Sequence, residues 1–418
     1  MSERLRQLKC PYEDYDLATM DSEGYMYVHP HFSRYPNITE GVKCKVVFIE
    51  GGLRKNGTNT GDTTFTEVAE EELYMSKDTP SFGQYGETRK TPTAPPMSER
   101  YSIDILAIDS TSRTMFMRHM PRTLELMNKI GYHIMYGYNK VGDNSMVNLE
   151  PILAGDIMEA LVNSKDESSG DINPQWILPT NNPLDPTLLP FLWKTMKEKF
   201  GCTSMFNDDI AVPQRGIFHY PENEFKSGFT SPPSDHYYRA YYLAVYKNWL
   251  YRQCKDGGQI QREFIELWRR FSQKYKNICH FGFTFITSLT HEVGLTLETL
   301  DEYLRSSIEN LQISGALDRT VSIIMGDHGN RIGYAQYTYT GRIEERMPLM
   351  AIRLPTEFKY LYPKQYKNFL ANKWKLTSNF DIHKTLRDVV WMRFRSDGYT
   401  DQPSVRGISL FEKIPANR

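Results

Sequence analysis

Three short segments of this 418-residue chain place metal-binding side chains directly behind apolar runs. Asp109 and Ser110 follow SIDILAI, His291 follows FGFTFITSLT, and Asp327-His328 follow TVSIIMG. A carboxylate or imidazole at the end of a buried strand needs solvent, a partner or an ion. Asp327-His328 is the richest of the three. It sets two ligand types side by side, and the flanking Gly326 and Gly329 let backbone approach closely. The plain alternative is a capping Asp beside an incidental His.

A nucleophile is the missing part. Gly142-Asp143-Asn144-Ser145 leads into MVNLEPILAG, so Ser145 belongs at a helix N-terminus, where free N–H groups favour an alkoxide and a transferring phosphate. Helix starts also use Ser routinely as a plain N-cap. Ser110, directly behind the first strand, is the rival. Other frameworks lack their anchors. His291-Glu292-Val293-Gly294-Leu295 has Leu where the zinc-protease helix needs its second His, and neither GxSxG nor GxGxxG occurs.

These residues need a scaffold, and the pattern from residue 101 onward supplies one. SIDILAID, ICHFGFTFITSL and TVSIIMGDHG are near-continuous buried strands. Between them lie amphipathic stretches, one from Met115 to Ile130 and another in LETLDEYLRSSIENLQISGAL. Such alternation predicts an α/β domain over 99–418, a mainly parallel sheet with helices on both faces. Open sheets of this kind place ligands at the carboxyl ends of their strands. Residues 1–98 read differently. YMYVHP, CKVVFIE and TTFTEV are short β-rich runs, and the Pro-, Ser- and Thr-rich 76–100 stretch reads as a linker or strap.

A net charge of −1 gives no overall pull towards nucleic acid or an anionic membrane. No run reaches the roughly 20 apolar residues of a spanning helix. The charged opening MSERLRQLKC is no signal peptide. Asn37-Ile38-Thr39 and Asn56-Gly57-Thr58 are glycosylation acceptor triplets, which point to a secreted or lumenal protein. The expectation is then that a leader or anchor is missing from this chain, and that membrane contact occurs only through such an anchor. Five cysteines form no CxxC pair, so a cysteine zinc site is excluded. In an oxidising compartment they would give two bridges and one free thiol, with Cys10–Cys44 the first pair expected. Five reduced, buried thiols are the alternative.

Taken together, LAIDSTSR, MPRTLELM, GYNKVGDNS, SLTHE, SGALDRT, GDHGNR and GRIEERMP resemble an animal family of sulfatase-like ectodomains. That family was long carried only as a domain of unknown function. The resemblance runs from about residue 100 to the end, and the cysteine-bearing amino-terminal part is also typical. It implies the alkaline phosphatase/sulfatase fold. It also implies a metal-dependent hydrolase or transferase acting on a phosphorylated or sulfated small molecule, lipid or glycan.

Carried over by position, the pattern makes Asp109, Asp327 and His328 the metal ligands. Ser145, 36 residues after Asp109, becomes the nucleophile and a metal contact. Two departures are visible. Ser145-Met146-Val147-Asn148-Leu149 lacks the Pro or Ala and the Arg of the formylglycine signature. Thr287 stands where a two-metal member has an Asp upstream of its His. A one-metal site follows, with His291 contacting phosphate. Zinc suits these ligands, while manganese and calcium stay open because a sequence shows no coordination geometry. The alternatives are a sulfatase without formylglycine and a catalytically silent recognition domain.

Arg113 and Arg331, beside the two metal motifs, could clamp phosphate oxygens or simply form ion pairs. His383 is expected to be structural. Asp208-Asp209 and Asp235-His236 read as solvated loop residues, and Glu344-Glu345-Arg346 as a salt-bridge cluster.

Overall fold

The computed structural model describes residues 99–155, 186–210, 216–218, 229, 233–239, 242, 253–255, 258–292, 294–332, 337–395 and 406–418. It also describes four short amino-terminal strands. There, Ala18–Met20 pairs antiparallel with Met26–Val28, and Val42–Lys43 with Thr64–Phe65. Asn37, Asn56, Cys10 and Cys44 lie outside the described residues.

The centre is a seven-stranded sheet of β1 (Ser102–Ile108), β2 (His133–Ile134), β3 (Thr203–Asp208), β4 (His236–Tyr237), β5 (His280–Ile286), β6 (Thr320–Gly326) and β7 (Met350–Arg353). Its spatial order is β2-β7-β6-β1-β5-β3-β4. β7 pairs antiparallel with both its neighbours, and the other pairings are parallel.

The helices that pack on it are α1 (Arg113–His119), α2 (Pro121–Ile130), α3 (Ser145–Leu153), α4 (Leu192–Phe200), α5 (Ile260–Lys274), α6 (Asp301–Ile313), α7 (Tyr339–Arg346), α8 (Pro363–Asn372) and α9 (Asn379–Trp391). The amphipathic stretch from Met115 to Ile130 lies in two helices. Pro121 cannot supply an N–H inside a helix, so α1 stops at Met120 and α2 starts with Pro at its first position.

Side chains alternate across the strands and divide the core in two. Ile103, Ile105 and Ala107 of β1 join Phe281, Phe283 and Phe285 of β5 on one face, under α3, α4 and α9. Leu106, Ile108 and Ile324 point to the other face, under α1, α2, α5 and α6. Helices therefore cover both faces, as parallel strands require. Among the described residues, no helix is long and apolar enough to cross a membrane.

A disulfide, Cys202–Cys279, precedes β3 and β5 and joins their starts, where Thr203 sits opposite His280. The carboxyl ends of the central strands thus lie at the opposite edge of the sheet from this link.

Candidate metal and phosphate site

β1 and β6 are adjacent and parallel, with Ile108 level with Gly326. The next residue of each is an aspartate. Asp109, Asp327 and His328 are fully buried, and one ligand atom from each lies within 4.8 Å of the others. His328 Nε2 is 3.6 Å from Asp109 Oδ1 and 3.4 Å from Asp327 Oδ2. The glycines explain how the chain closes up here. A Cβ on Gly326 would strike the Thr111 carbonyl, and one on Gly329 the Glu344 carbonyl.

Each ligand residue has one atom tied and one left over. The Ser110 hydroxyl donates to Asp109 Oδ1 at 2.9 Å. The Ser110 and His328 amides donate to Asp327 Oδ1 at 3.0 and 2.8 Å. His328 Nδ1 donates to the Gly329 carbonyl at 2.8 Å, which leaves Nε2 carrying the lone pair. Asp109 Oδ2, Asp327 Oδ2 and His328 Nε2 are buried with no hydrogen-bond partner among the described residues. Three orphaned acceptors at one point are costly in a dry interior. They fit a divalent cation, with carboxylate and imidazole ligands oriented by second contacts.

The electrostatics agree. Burial, and then the neighbouring Asp327, push the Asp109 carboxyl well above the carboxylate range. Burial pushes His328 down, so its imidazole is neutral.

Ser110 is central to this arrangement. Its φ of +56° lies in the left-handed region, which a non-glycine residue occupies at some cost. That turn aims its amide at one carboxylate and its hydroxyl at the other. The rival nucleophile is thus a buried hydroxyl already spent on Asp109.

Ser145 opens α3, but the cap is Asn144, whose side chain accepts from the Val147 amide at 3.1 Å. Ser145 is the first helical residue, so its hydroxyl is not used as a cap. Its own amide and that of Met146 have no intrahelical acceptor, as at any helix start. Asn148 fixes the approach to the helix by accepting from the Val141 and Gly142 amides at 2.9 and 3.0 Å.

Charge links this helix start to the buried cluster. Burial raises Asp109 and the Arg331 charge opposes that rise; the Lys140 hydrogen bond lowers Asp143 and burial lowers His328, and Arg331 adds to both. It forms no ion pair among the described residues. Lys140, buried and paired with Asp143 and Glu345, also acts on His328. Arg113 is directed elsewhere, donating to the Tyr136 carbonyl with its guanidinium 5.4 Å from that ring.

His291 follows β5, on the other side of β1 from β6. It is partly exposed, with Nδ1 2.9 Å from Glu292. Its loop is held by a residue expected in a solvated loop. Asp208 ends β3, and both Asp208 and Asp209 are buried. Asp209 accepts from the Thr287 amide at 2.6 Å and from the Ser288 amide and hydroxyl at 3.0 and 2.6 Å. Burial pushes its carboxyl up to about 7. Thr290 adds a bond to the Asp109 carbonyl at 2.6 Å. The signal for this latch was the acidic pair at the end of TSMFND, a strand too short and mixed to be read as buried.

Asp235 and His236 are also internal rather than solvated. Asp235 accepts from the Ser204 amide and hydroxyl, and buried His236, 3.0 Å from the Tyr275 hydroxyl, is held near pKa 3 by burial. His383 is structural, with Nδ1 3.0 Å from the Ile152 carbonyl and its pKa lowered to about 4 by burial. Glu344 and Glu345 pair with Arg118 and Lys140.

Compared by sequence with curated proteins, the chain matches none. Among solved structures it is similar to a phosphonate monoester hydrolase from Silicibacter pomeroyi, with 13% identity and a TM-score of 0.47 over 76% of this chain and 78% of that one. It is similar to the lipoteichoic acid synthase LtaP from Listeria monocytogenes, with 11% identity and a TM-score of 0.44 over 74% and 75%. It is also similar to a zinc complex of the periplasmic domain of EcEptC from Escherichia coli, with 11% identity and a TM-score of 0.42 over 71% and 86%. The family model described as "Protein of unknown function (DUF229)" matches residues 1–418, and the chain belongs to that family.

Proposed function

We propose that this protein is a metal-dependent hydrolase or transferase of phosphate esters that uses Ser145 as its nucleophile. The observation that carries this reading is the meeting of Asp109 Oδ2, Asp327 Oδ2 and His328 Nε2, three buried acceptors with no hydrogen-bond partner among the described residues. Asp109, Asp327 and His328 would hold a divalent ion, with zinc the first choice for this ligand set. When bound, that ion supplies positive charge for the phosphoryl oxygens and favours the ionised form of a nearby hydroxyl.

The chain supplies the rest. The amides at the start of α3 donate to a phosphoryl oxygen, and Arg331 balances the charge of the group in transfer. Ser145 Oγ gives up its proton to solvent and forms a bond to phosphorus as the bond to the leaving alkoxide breaks in line. The alkoxide takes up a proton and departs as an alcohol. Water or an acceptor alcohol then breaks the phosphoserine bond and restores the hydroxyl. His291, oriented by Glu292, contacts the transferring group. Phosphorylated small molecules, lipids and glycans are the substrate class, and nucleic acid is not. The protein works in a secretory or extracellular setting, consistent with the closed Cys202–Cys279 bridge.

Metal analysis of the purified protein, together with a panel of phosphate and sulfate esters, tests this. Stoichiometric metal and phosphate-ester turnover are expected. Turnover of sulfate esters alone, or a metal-free protein inert to the whole panel, would overturn it.

A further inference from the structure

Three features at the reactive edge of the sheet come together around Tyr136. The Met135 amide donates to the Met350 carbonyl, and Met350 lies level with Met325 of β6. Tyr136 therefore emerges at the edge where Asp327 stands, two strands away in the order β2-β7-β6. Two strand spacings are roughly 10 Å. From there the chain runs back towards the metal ligands. Asp327 acts on the buried Tyr138 phenol, and Lys140 acts on His328.

Trp374 lies flat on Tyr136, with ring centroids 4.1 Å apart and planes 6° from parallel, yet it is 71% exposed. One face of the indole is covered by Tyr136, so the exposure belongs to its outer face and rim. The stack is rigidly mounted. Tyr136 and Gly137 both donate to the Lys373 carbonyl, Asn139 donates to Thr377, and Thr377 donates back to Gly137. A Cβ on Gly137 would strike the Lys375 carbonyl, so the two segments can lie this close only with glycine there. Cations surround the stack. The Lys373 ammonium is 6.0 Å and the Arg113 guanidinium 5.4 Å from the Tyr136 ring, and Lys375 flanks the tryptophan in sequence.

We propose that the Trp374–Tyr136 stack with Lys373 and Lys375 is a subsite for a sugar ring of an anionic glycan whose ester group reaches the Asp109–Asp327–His328 site. A flat indole backed by a second ring offers a plane at little cost in side-chain entropy, and the C–H face of a pyranose packs on such a plane. The lysines meet sulfate or phosphate groups on the same chain of sugars. The strand that leads into Tyr136 stands two spacings, roughly 10 Å, from the strand that leads into Asp327, a separation that a short run of sugars bridges. The inference rests on the phosphate-ester reading for the occupant of the metal site, but it can be measured without turnover.

The probe is a heparin hexasaccharide, with its desulfated counterpart as control, titrated calorimetrically into the Asp327→Ala protein. That background removes catalysis and leaves the stack untouched. Binding that prefers the sulfated form is expected, weakening by about tenfold or more on Trp374→Ala, the loss typical of a truncated aromatic anchor. Trp374→Tyr, which keeps a flat ring, should restore most of it. Lys373→Glu with Lys375→Glu should abolish it at an unchanged thermal midpoint, which keeps the test intact if Trp374→Ala folds poorly. Binding that survives both Trp374→Ala and the lysine reversal overturns the proposal, as does no binding by the parent. So does Trp374-dependent binding to phosphatidylserine vesicles in place of the hexasaccharide. Trp374-dependent glycan binding by a protein that turns over no ester would uphold this subsite and sink the catalytic reading instead.

Discussion

Asp109 and Asp327 stand at the ends of neighbouring parallel strands, each with one buried oxygen that no donor among the described residues meets. Two carboxylates so placed repel one another, and burial removes the solvent that would screen them. A bound cation reverses that balance. Asp327→Ala should therefore lose both metal and activity, while the wild-type protein loses thermal stability to a chelator. The metal-linked part is about 2.7 kcal/mol when free metal stands at ~100 times its Kd. Melting curves with and without chelator, read beside elemental analysis, check this. An Asp327→Ala protein that keeps its metal would remove the site.

Ser145→Ala should cut turnover by about four orders of magnitude or more, as loss of a covalent nucleophile does. Metal content should not change. Stability should move by no more than about 0.5 kcal/mol, because Asn144 rather than Ser145 caps α3. Asn144→Ala is the opposite control and should cost about 1 kcal/mol of stability. An active Ser145→Ala protein would point to water as the direct nucleophile.

Ser110 separates backbone from hydroxyl. Ser110→Ala and Ser110→Gly both remove the bond to Asp109, and both should weaken metal binding by about 10- to 100-fold. Only glycine relieves the cost of φ +56°, so it should be the more stable of the two by about 1 kcal/mol. Equal stability of the two variants would show that the backbone holds no strain there.

His280 supplies a pH signature away from the site. It is buried between the Asp104 carboxylate, 3.1 Å from Nε2, and the Tyr275 and Ile278 carbonyls near Nδ1. All three partners accept hydrogen bonds, so both ring nitrogens must carry protons. Burial alone would lower this histidine, but Asp104 and the hydrogen bonds overcome it and the net shift is upward. A folded-state pKa above the unfolded one means the stabilisation is whole below about pH 6.5 and is lost as pH rises through the raised value. Thermal midpoints of the wild type should fall along that limb, and those of His280→Gln should not.

Intact mass after secretory expression tests the compartment. Glycan mass at Asn37 and Asn56 is expected, with Cys202 and Cys279 resistant to alkylation. Removing the bridge by Cys202→Ala with Cys279→Ala should cost roughly 2–5 kcal/mol. An unglycosylated chain with five free thiols would place the protein in the cytosol.

The ends of the apolar strands could be read directly, because an acidic residue behind SIDILAI or TVSIIMG has few structural uses. The Asp109–Asp327–His328 cluster was legible for that reason. What surrounds it was not. Nothing in the sequence shows that Ser110 turns left-handed, since serine rarely does so, and its two bonds depend on that turn. Asp209 looked solvated because hydrophobic pattern cannot show three donors arriving from a loop 78 residues away. Cys202–Cys279 spans 77 residues, and only strand register brings the two together. The Tyr136–Trp374 stack likewise joins segments far apart in the chain.

The covalent link between the starts of β3 and β5 gives the sheet two ends of different character. One end is covalently tied, and none of Asp109, Asp327 and His328 takes part in that tie. The other end consists of connections that can lengthen, shorten or change composition while the strands beneath them keep their register. A lineage built on this frame can therefore change what meets that edge by editing those connections alone.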